Sequence, residues 1–250
     1  MKLLLLMLCL LGKLSADVLS VAKAFLGVPY VASTLENEGE EQLVVNTEGL
    51  DCTTFVELSV AYWLDLKDDS VGFEGHVQLL RYRDGVVDGY LSRLHYFTDW
   101  VEENSRRQVW RELSPEGDST LWRHYQLELS FMSSHRQSYP YLQTHAWAVD
   151  SMRSLEARYD GRTIYYIDKD FLNLPPELLP IRDGDILALV TTIEGLDVTH
   201  LGFAVWQGDK LHLMHASTAY KSVVVDEQSL YDYLRTRKSC PGVRVVRLCD

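Results

Sequence analysis

Apolar residues recur at helical spacing from Asp17 to Leu26 (DVLSVAKAFL) and stop at Gly27, which predicts a helix closed by a glycine cap. GVPYVASTLE then turns the chain, and EQLVV reads as a short strand. From Asp51 the pattern is helical again. Asp51 suits the N-cap, and Phe55, Val56, Ser59 and Trp63 share one face with Cys52. The final third alternates at strand period: RDGDILALVTTI, VTHLGFAVW, KLHLMHA, SVVVD and VRVVRL predict five strands, with QSLYDYLRTRK an amphipathic helix before the last. Antiparallel strands behind an N-terminal helical part give an α+β fold.

Residues 66–180 are less regular. Lys67 to Glu74 reads as a polar turn and RYRDGVVDGY as strand–turn–strand. SRLHYFTDWVEENSRR predicts a helix, PEGDSTLWRHYQLELSFMSSH is mixed, and LEARYDGRTIYYIDKD ends in an aromatic strand before the proline-bounded LPPELLP. The block is expected to be a large mixed insertion packed on the core of a single domain spanning 17–250, not a second domain.

The start of the chain is a different material. Lys2, the apolar run Leu3 to Leu11 and the small pair Ser15-Ala16 match a secretory leader cleaved after Ala16, so residues 1–16 are set apart as a signal peptide. The run is too short to span a bilayer, and the bulky Leu8 before Cys9 disfavours a lipid anchor there. An exported protein, periplasmic or secreted, is expected. Losing Lys2 and Lys13 leaves 22 basic and 36 acidic residues, a net charge of −14. That balance disfavours nucleic acid and anionic membranes as partners.

Export also makes the cysteine count informative. Cys52, Cys240 and Cys249 remain, an odd number for an oxidising compartment. Cys240 and Cys249 could pair, an open question, and Cys52 would then be the leftover thiol. Its place in the first turn of a helix favours a thiolate, because unpaired amides and the helix dipole point at it. Alone, Cys52 fits a buried structural residue better than a nucleophile.

A nucleophile needs a base. On VTHLGFAVW, alternation puts His200, Gly202, Ala204 and Trp206 on one face, and the small residues predict room there for the Cys52 helix. A two-residue turn at Gly208-Asp209 pairs Gln207 with Lys210 and sets Gly202 opposite His215. His215 would then lie diagonal to His200, where it could orient the ring; a three-residue loop would bring His212 there instead. HLMH lacks a third ligand, and no metal or organic cofactor is expected. A glycosidase would need paired carboxylates facing a groove, whereas ENEGEEQ reads as a solvated loop.

GVPYVAS, GLDCTTFVE, RDGDILAL, THLGFAVW and LMHAST, in that order, resemble the motif set of the NlpC-type cell-wall cysteine hydrolases. The resemblance implies a papain-like core in which Cys52 is the nucleophile, His200 the base, His215 the third member and Tyr30 a residue lining the site. The chain departs from the pattern in Thr53-Thr54, which stand for Ser-Gly, and in the long insertion. Those departures, with PYVASTLE, RYRDGVVDGYLSRLHYFTDW and GLDVTHLG, are similar to the N-acetylmuramoyl-L-alanine amidase-like branch. The branch implies cleavage of an amide bond in a peptidoglycan or muropeptide stem by a protein expected to be monomeric. Stem carboxylates would call for cations, with Arg81, Arg83 and Arg93 as candidates and surface ion pairing as their ordinary alternative. Glu36 could recognise an amine, Thr53 would tune substrate choice, and His95 and Tyr96 could wall the cleft. A γ-D-glutamyl-diamino acid endopeptidase with the same triad, and a non-catalytic wall-binding module, are the competing expectations.

Overall fold

A computed structural model describes residues 17–36, 39–117 and 119–249. The leader reading falls on residues 1–16 and lies outside them. Short helix α1 (Val18–Lys23), capped by the Asp17 side chain, precedes α2 (Cys52–Lys67). At α2 the Asp51 carboxylate accepts the Thr54 amide while the Thr54 hydroxyl accepts the Asp51 amide, so a reciprocal capping box pins the helix start one residue before Cys52. Helices α3 (Gly72–Arg81) and α4 (Phe97–Arg106) follow.

Strands β1 (Trp110–Glu112), β2 (Trp122–Gln126), β3 (Thr163–Asp168), β4 (Ile186–Val190), β5 (Val198–Gln207), β6 (Lys210–Ser217), β7 (Ser222–Val225) and β8 (Gly242–Leu248) form one antiparallel sheet. Its order is β2-β3-β8-β4-β5-β6-β7, with β1 also paired to β8. Three of these strands come from residues 66–180, joined to the rest of the sheet through β8. The same block places short helices α5 (Phe131–Ser134), α6 (Pro140–Thr144) and α7 (Ala146–Glu156) around Leu142, Met152 and Tyr159.

Helices α1 to α4 cover one sheet face, where Phe55 meets Phe203 edge-on at 5.6 Å and Trp100 packs on Trp110. Helix α8 (Leu230–Arg235) covers the other through Leu230 and Leu234 against Ala204, Leu211 and Leu213. No helix of the described residues is long and apolar enough to cross a membrane.

Three local expectations are corrected. Residues 41–45 form no strand. RYRDGVVDGY is not strand–turn–strand: α3 runs through Arg81, then single 3₁₀ turns follow, with positive φ at Asp84, Gly85 and Gly89, leaving one bridge between Tyr82 and Arg93. The small-residue face of β5 does not receive the Cys52 helix. Leu201, Phe203 and Val205 meet that helix, and Ala204 faces the α8 side.

Gly202 serves a different neighbour. A Cβ there would stand 2.4 Å from the Met214 carbonyl oxygen and 2.9 Å from the His215 Cβ, so the close approach is that of β6. Gly202→Ala is expected to cost about 1–3 kcal/mol by forcing the strands apart, and to lower kcat by displacing His215. Thermal unfolding and steady-state rates on the same preparation check both effects.

Candidate functional site

The segment carrying Tyr30 is held at both ends of the site. Its amide donates to Lys221 O, and Tyr30 bridges Leu50, two residues before Cys52. At the start of α2 the Thr54 amide is taken by Asp51 Oδ1 and the Phe55 amide by the Asp51 carbonyl. The Cys52 amide is thereby left without a hydrogen-bonded protein partner among the described residues, at the open end of the helix, while the Thr53 backbone and hydroxyl face the Cys52 sulfur. Cys52 and Thr53 line a cleft of about 210 Å³ together with Glu36, His95, Tyr96, Trp100, Tyr139, Asp197 and His200. A larger groove of about 510 Å³ between α4 and β3 carries Glu102 ion-paired to Arg106 and Arg162 and no cysteine or histidine, so size does not mark the site.

His200 lines this cleft directly beside a β-bulge. The β4–β5 register shifts between Leu189, opposite His200, and Val190, opposite Val198, and such an extra residue re-aims the side chains around it. The β5–β6 hairpin has the expected two-residue turn, pairing Gln207 with Lys210 and Phe203 with Met214. His215 thereby reaches His200: His200 Nε2 and His215 Nδ1 are 2.5 Å apart. His212 faces elsewhere, its Nδ1 on the Asp226 carbonyl at 2.9 Å.

Behind His215 stands a carboxylate that sequence reasoning missed. His215 Nε2 lies 3.4 Å from Asp226 Oδ2, with the two side chains 1% and 4% exposed. Asp226 directly follows β7, whose pairing to β6 across a four-residue loop sets its position. Loop length could have pointed to it only if the turn type had been legible, and STAYK has no such signature. The Tyr233 ring meets His215 edge-on at 5.8 Å from α8.

The resting electrostatics favour neutral groups. Burial, and then the Asp51 charge, push the Cys52 thiol up to about 11, against smaller opposing contributions from the Leu201 backbone and from Thr53. Burial first, then His215 and Arg237, hold His200 down at about 3. His215 is lowered by burial, with Asp226 acting in the opposite direction. Burial, then Cys52 and Asp51, raise the Tyr30 hydroxyl, although Tyr30 is not among the residues lining this cleft. At pH 7 the pair therefore stands as thiol and imidazole. Iodoacetamide labelling of Cys52, followed by peptide mapping, is expected to accelerate roughly tenfold per pH unit between pH 7 and 10. Asp51→Asn, which keeps a capping side chain, is expected to move that curve to lower pH. A rate flat from pH 5 to 9 would mean a resting thiolate–imidazolium pair and contradict the assignment.

The expected carboxylate-binding arginines are not free. Arg81 is buried against Glu57 at 2.9 Å, Arg83 grips Asp99 with both terminal nitrogens at 2.9 and 2.6 Å, and Arg93 holds Glu36 at 2.7 Å and the Leu35 carbonyl. A guanidinium drawn into an interior needs such partners, which the sequence could not assign. Glu36 still lines the cleft, but Arg93 and the Tyr90 hydroxyl engage its two oxygens. His95 donates from Nε2 to the Tyr90 carbonyl oxygen, 2.8 Å away, and burial with Arg93 keeps it well below the usual histidine range. Tyr96 lines the wall with its hydroxyl on Glu156. Cys240 and Cys249 are free thiols, as is Cys52. The described residues hold no cluster of three or more His, Cys, Asp or Glu suited to a metal.

A family model described as N-acetylmuramoyl-L-alanine amidase-like (AmiA-like) matches residues 20–243. A crystal structure of an N-acetylmuramoyl-L-alanine amidase from Bacteroides uniformis is similar over 94% of this chain and 98% of that one, at 40% identity and TM-score 0.85. A structure described as a putative xylanase from Bacteroides fragilis is 39% identical over 92% of this chain and all of that one, with TM-score 0.83. A Legionella pneumophila protein at 22% identity and TM-score 0.70, covering 94% of this chain and 88% of that one, shares the fold. No curated protein matches the sequence.

Proposed function

Since the chain belongs to the N-acetylmuramoyl-L-alanine amidase-like family, we propose that it is a cysteine amidohydrolase that separates the lactyl carboxyl of N-acetylmuramic acid from the L-alanine of the stem. The core is then of the papain-like NlpC type, and the protein works outside the cytoplasm, where peptidoglycan lies. One observation carries the reading: a cysteine at a capped helix start, its own amide unpaired, lines the same cleft as a histidine bonded to a second, buried histidine.

In this mechanism His200 takes the thiol proton as the Cys52 sulfur attacks the lactyl carbonyl. Thiolate and imidazolium form together and stabilise each other across the cleft. The Cys52 amide, unpaired in the first turn, donates to the developing oxyanion. His200 gives its proton to the leaving alanine nitrogen, a thioester remains on Cys52, and water activated by His200 hydrolyses it to a free lactyl carboxylate. Thr53 lines the cleft beside the thiol, while Glu36, held by Arg93 and Tyr90, forms part of its wall.

The likeness to a structure described as a xylanase does not carry over to this cleft. Its two carboxylates, Glu36 and Asp197, are both engaged, the second by the Thr98 and Val198 amides, whereas a glycosidase needs a pair poised for proton transfer and attack. Mass spectrometry of muropeptides digested by the protein tests the scissile bond. Stem peptides beginning at L-alanine are expected; muramic acid still carrying L-Ala-D-Glu would show an endopeptidase instead.

A further inference from the structure

Asp226 has no part in the proposed mechanism, yet it sits at the buried end of a line of three side chains. We propose that Asp226 is a positioning residue that fixes the tautomers of His215 and His200 in sequence and so leaves His200 Nδ1 free as the base. The inference rests on the nucleophile and base reading above.

The argument follows the protons. His215 Nε2 is buried and finds no well-formed hydrogen bond among the described residues; the Asp226 carboxylate, 3.4 Å away, is the group it faces. An ionised carboxylate only accepts, so the His215 proton belongs on Nε2. Neutral His215 then presents a lone pair at Nδ1. His200 Nε2, 2.5 Å from that lone pair, must donate, so the His200 proton is also on Nε2. The remaining nitrogen of His200, Nδ1, carries a lone pair and can take the thiol proton. With the order reversed, His200 Nδ1 would carry a hydrogen and could accept nothing. Asp226 is itself held in place: its Oδ1 accepts the Gln228 amide at 2.9 Å, and its own amide donates to the Leu213 carbonyl.

That Gln228 contact makes Asp226→Asn a sharp probe. The Gln228 amide needs an oxygen at Oδ1, which turns the new NH₂ group toward His215 Nε2 and demands a lone pair there. Both rings should then reverse to Nδ1–H, in a side chain of the same shape. Nitrogen NMR of histidine-labelled protein reads the tautomers directly. In the wild type both rings are expected as Nε2–H. In Asp226→Asn both should become Nδ1–H, while His212 stays Nδ1–H because it faces the Asp226 backbone carbonyl. Turnover should fall by at least about 100-fold with KM changed less than about threefold, as when a triad carboxylate is neutralised. A wild-type His215 protonated on Nδ1 would overturn the inference without any variant. So would a variant with reversed rings and undiminished turnover, or one whose tautomers do not change. If Cys52→Ala stayed active while the tautomers were as stated, the cysteine-nucleophile reading would fall and the tautomer assignment would stand.

Discussion

Cys52→Ala is expected to reduce amide hydrolysis by roughly 10⁴-fold or more, the scale seen when an acyl-accepting nucleophile is removed. The fold should tolerate the change. Cys52 is only partly buried, and the start of α2 is fixed by Asp51 and Thr54, which stay in place. The melting temperature should therefore shift little, and substrate should still bind with near-unchanged affinity. His200→Ala should follow it in activity, and the double variant should be no worse than either single one, because groups acting in one proton-transfer step are not additive. Initial rates on a defined muropeptide, with thermal unfolding alongside, check all three variants.

The second large effect is structural. Arg244 on β8 is fully buried; its Nε and Nη2 hold Glu112 at 2.6 and 3.1 Å, and its Nη1 reaches Thr98 Oγ1 at 2.8 Å and Asp197 at 3.8 Å. The guanidinium also lies 4.8 Å from the Phe97 ring centroid. It ties β8 to the N-terminus of α4 and to the loop entering β5, which are two walls of the cleft. Arg244→Met keeps length and loses the charge, leaving Asp197 and Glu112 without their counter-ion. Breaking a buried pair in this way costs about 3–5 kcal/mol, which lowers the melting temperature by roughly 10 °C in a chain of this size. Arg244→Lys should fall between, since one ammonium cannot reproduce the fork. An unchanged melting temperature in Arg244→Met would mean that the network contributes nothing to the fold.

How much of this was legible in the sequence differs from element to element. The start of α2 could be read because capping is local: Asp51 and Thr54 satisfy amides three residues apart. The β5–β6 register could be read because Gly208-Asp209 admits one short turn, and that turn carried His215 to His200. Segment 82–93 could not. Its tyrosines and valines suggest strands, but its conformation is set by contacts far along the chain, such as Arg83 with Asp99 and Arg93 with Glu36. The face of β5 toward α2 was misjudged for a related reason. Small residues announce a close approach without saying whose, and at Gly202 the neighbour is the next strand. The bulge beside His200 leaves no mark in the local pattern, and Asp226 reaches His215 through a loop whose length fits several registers.

The central claim is that Cys52 takes the acyl group. Rapid acid quench during turnover of a muramoyl peptide, followed by proteolysis and mass spectrometry, reads it directly. The peptide containing Cys52 is expected to carry a muramoyl thioester, lost on treatment with hydroxylamine and absent from Cys52→Ala. Full turnover with no adduct at Cys52, matched by equal hydrolysis in Cys52→Ala, would contradict the account.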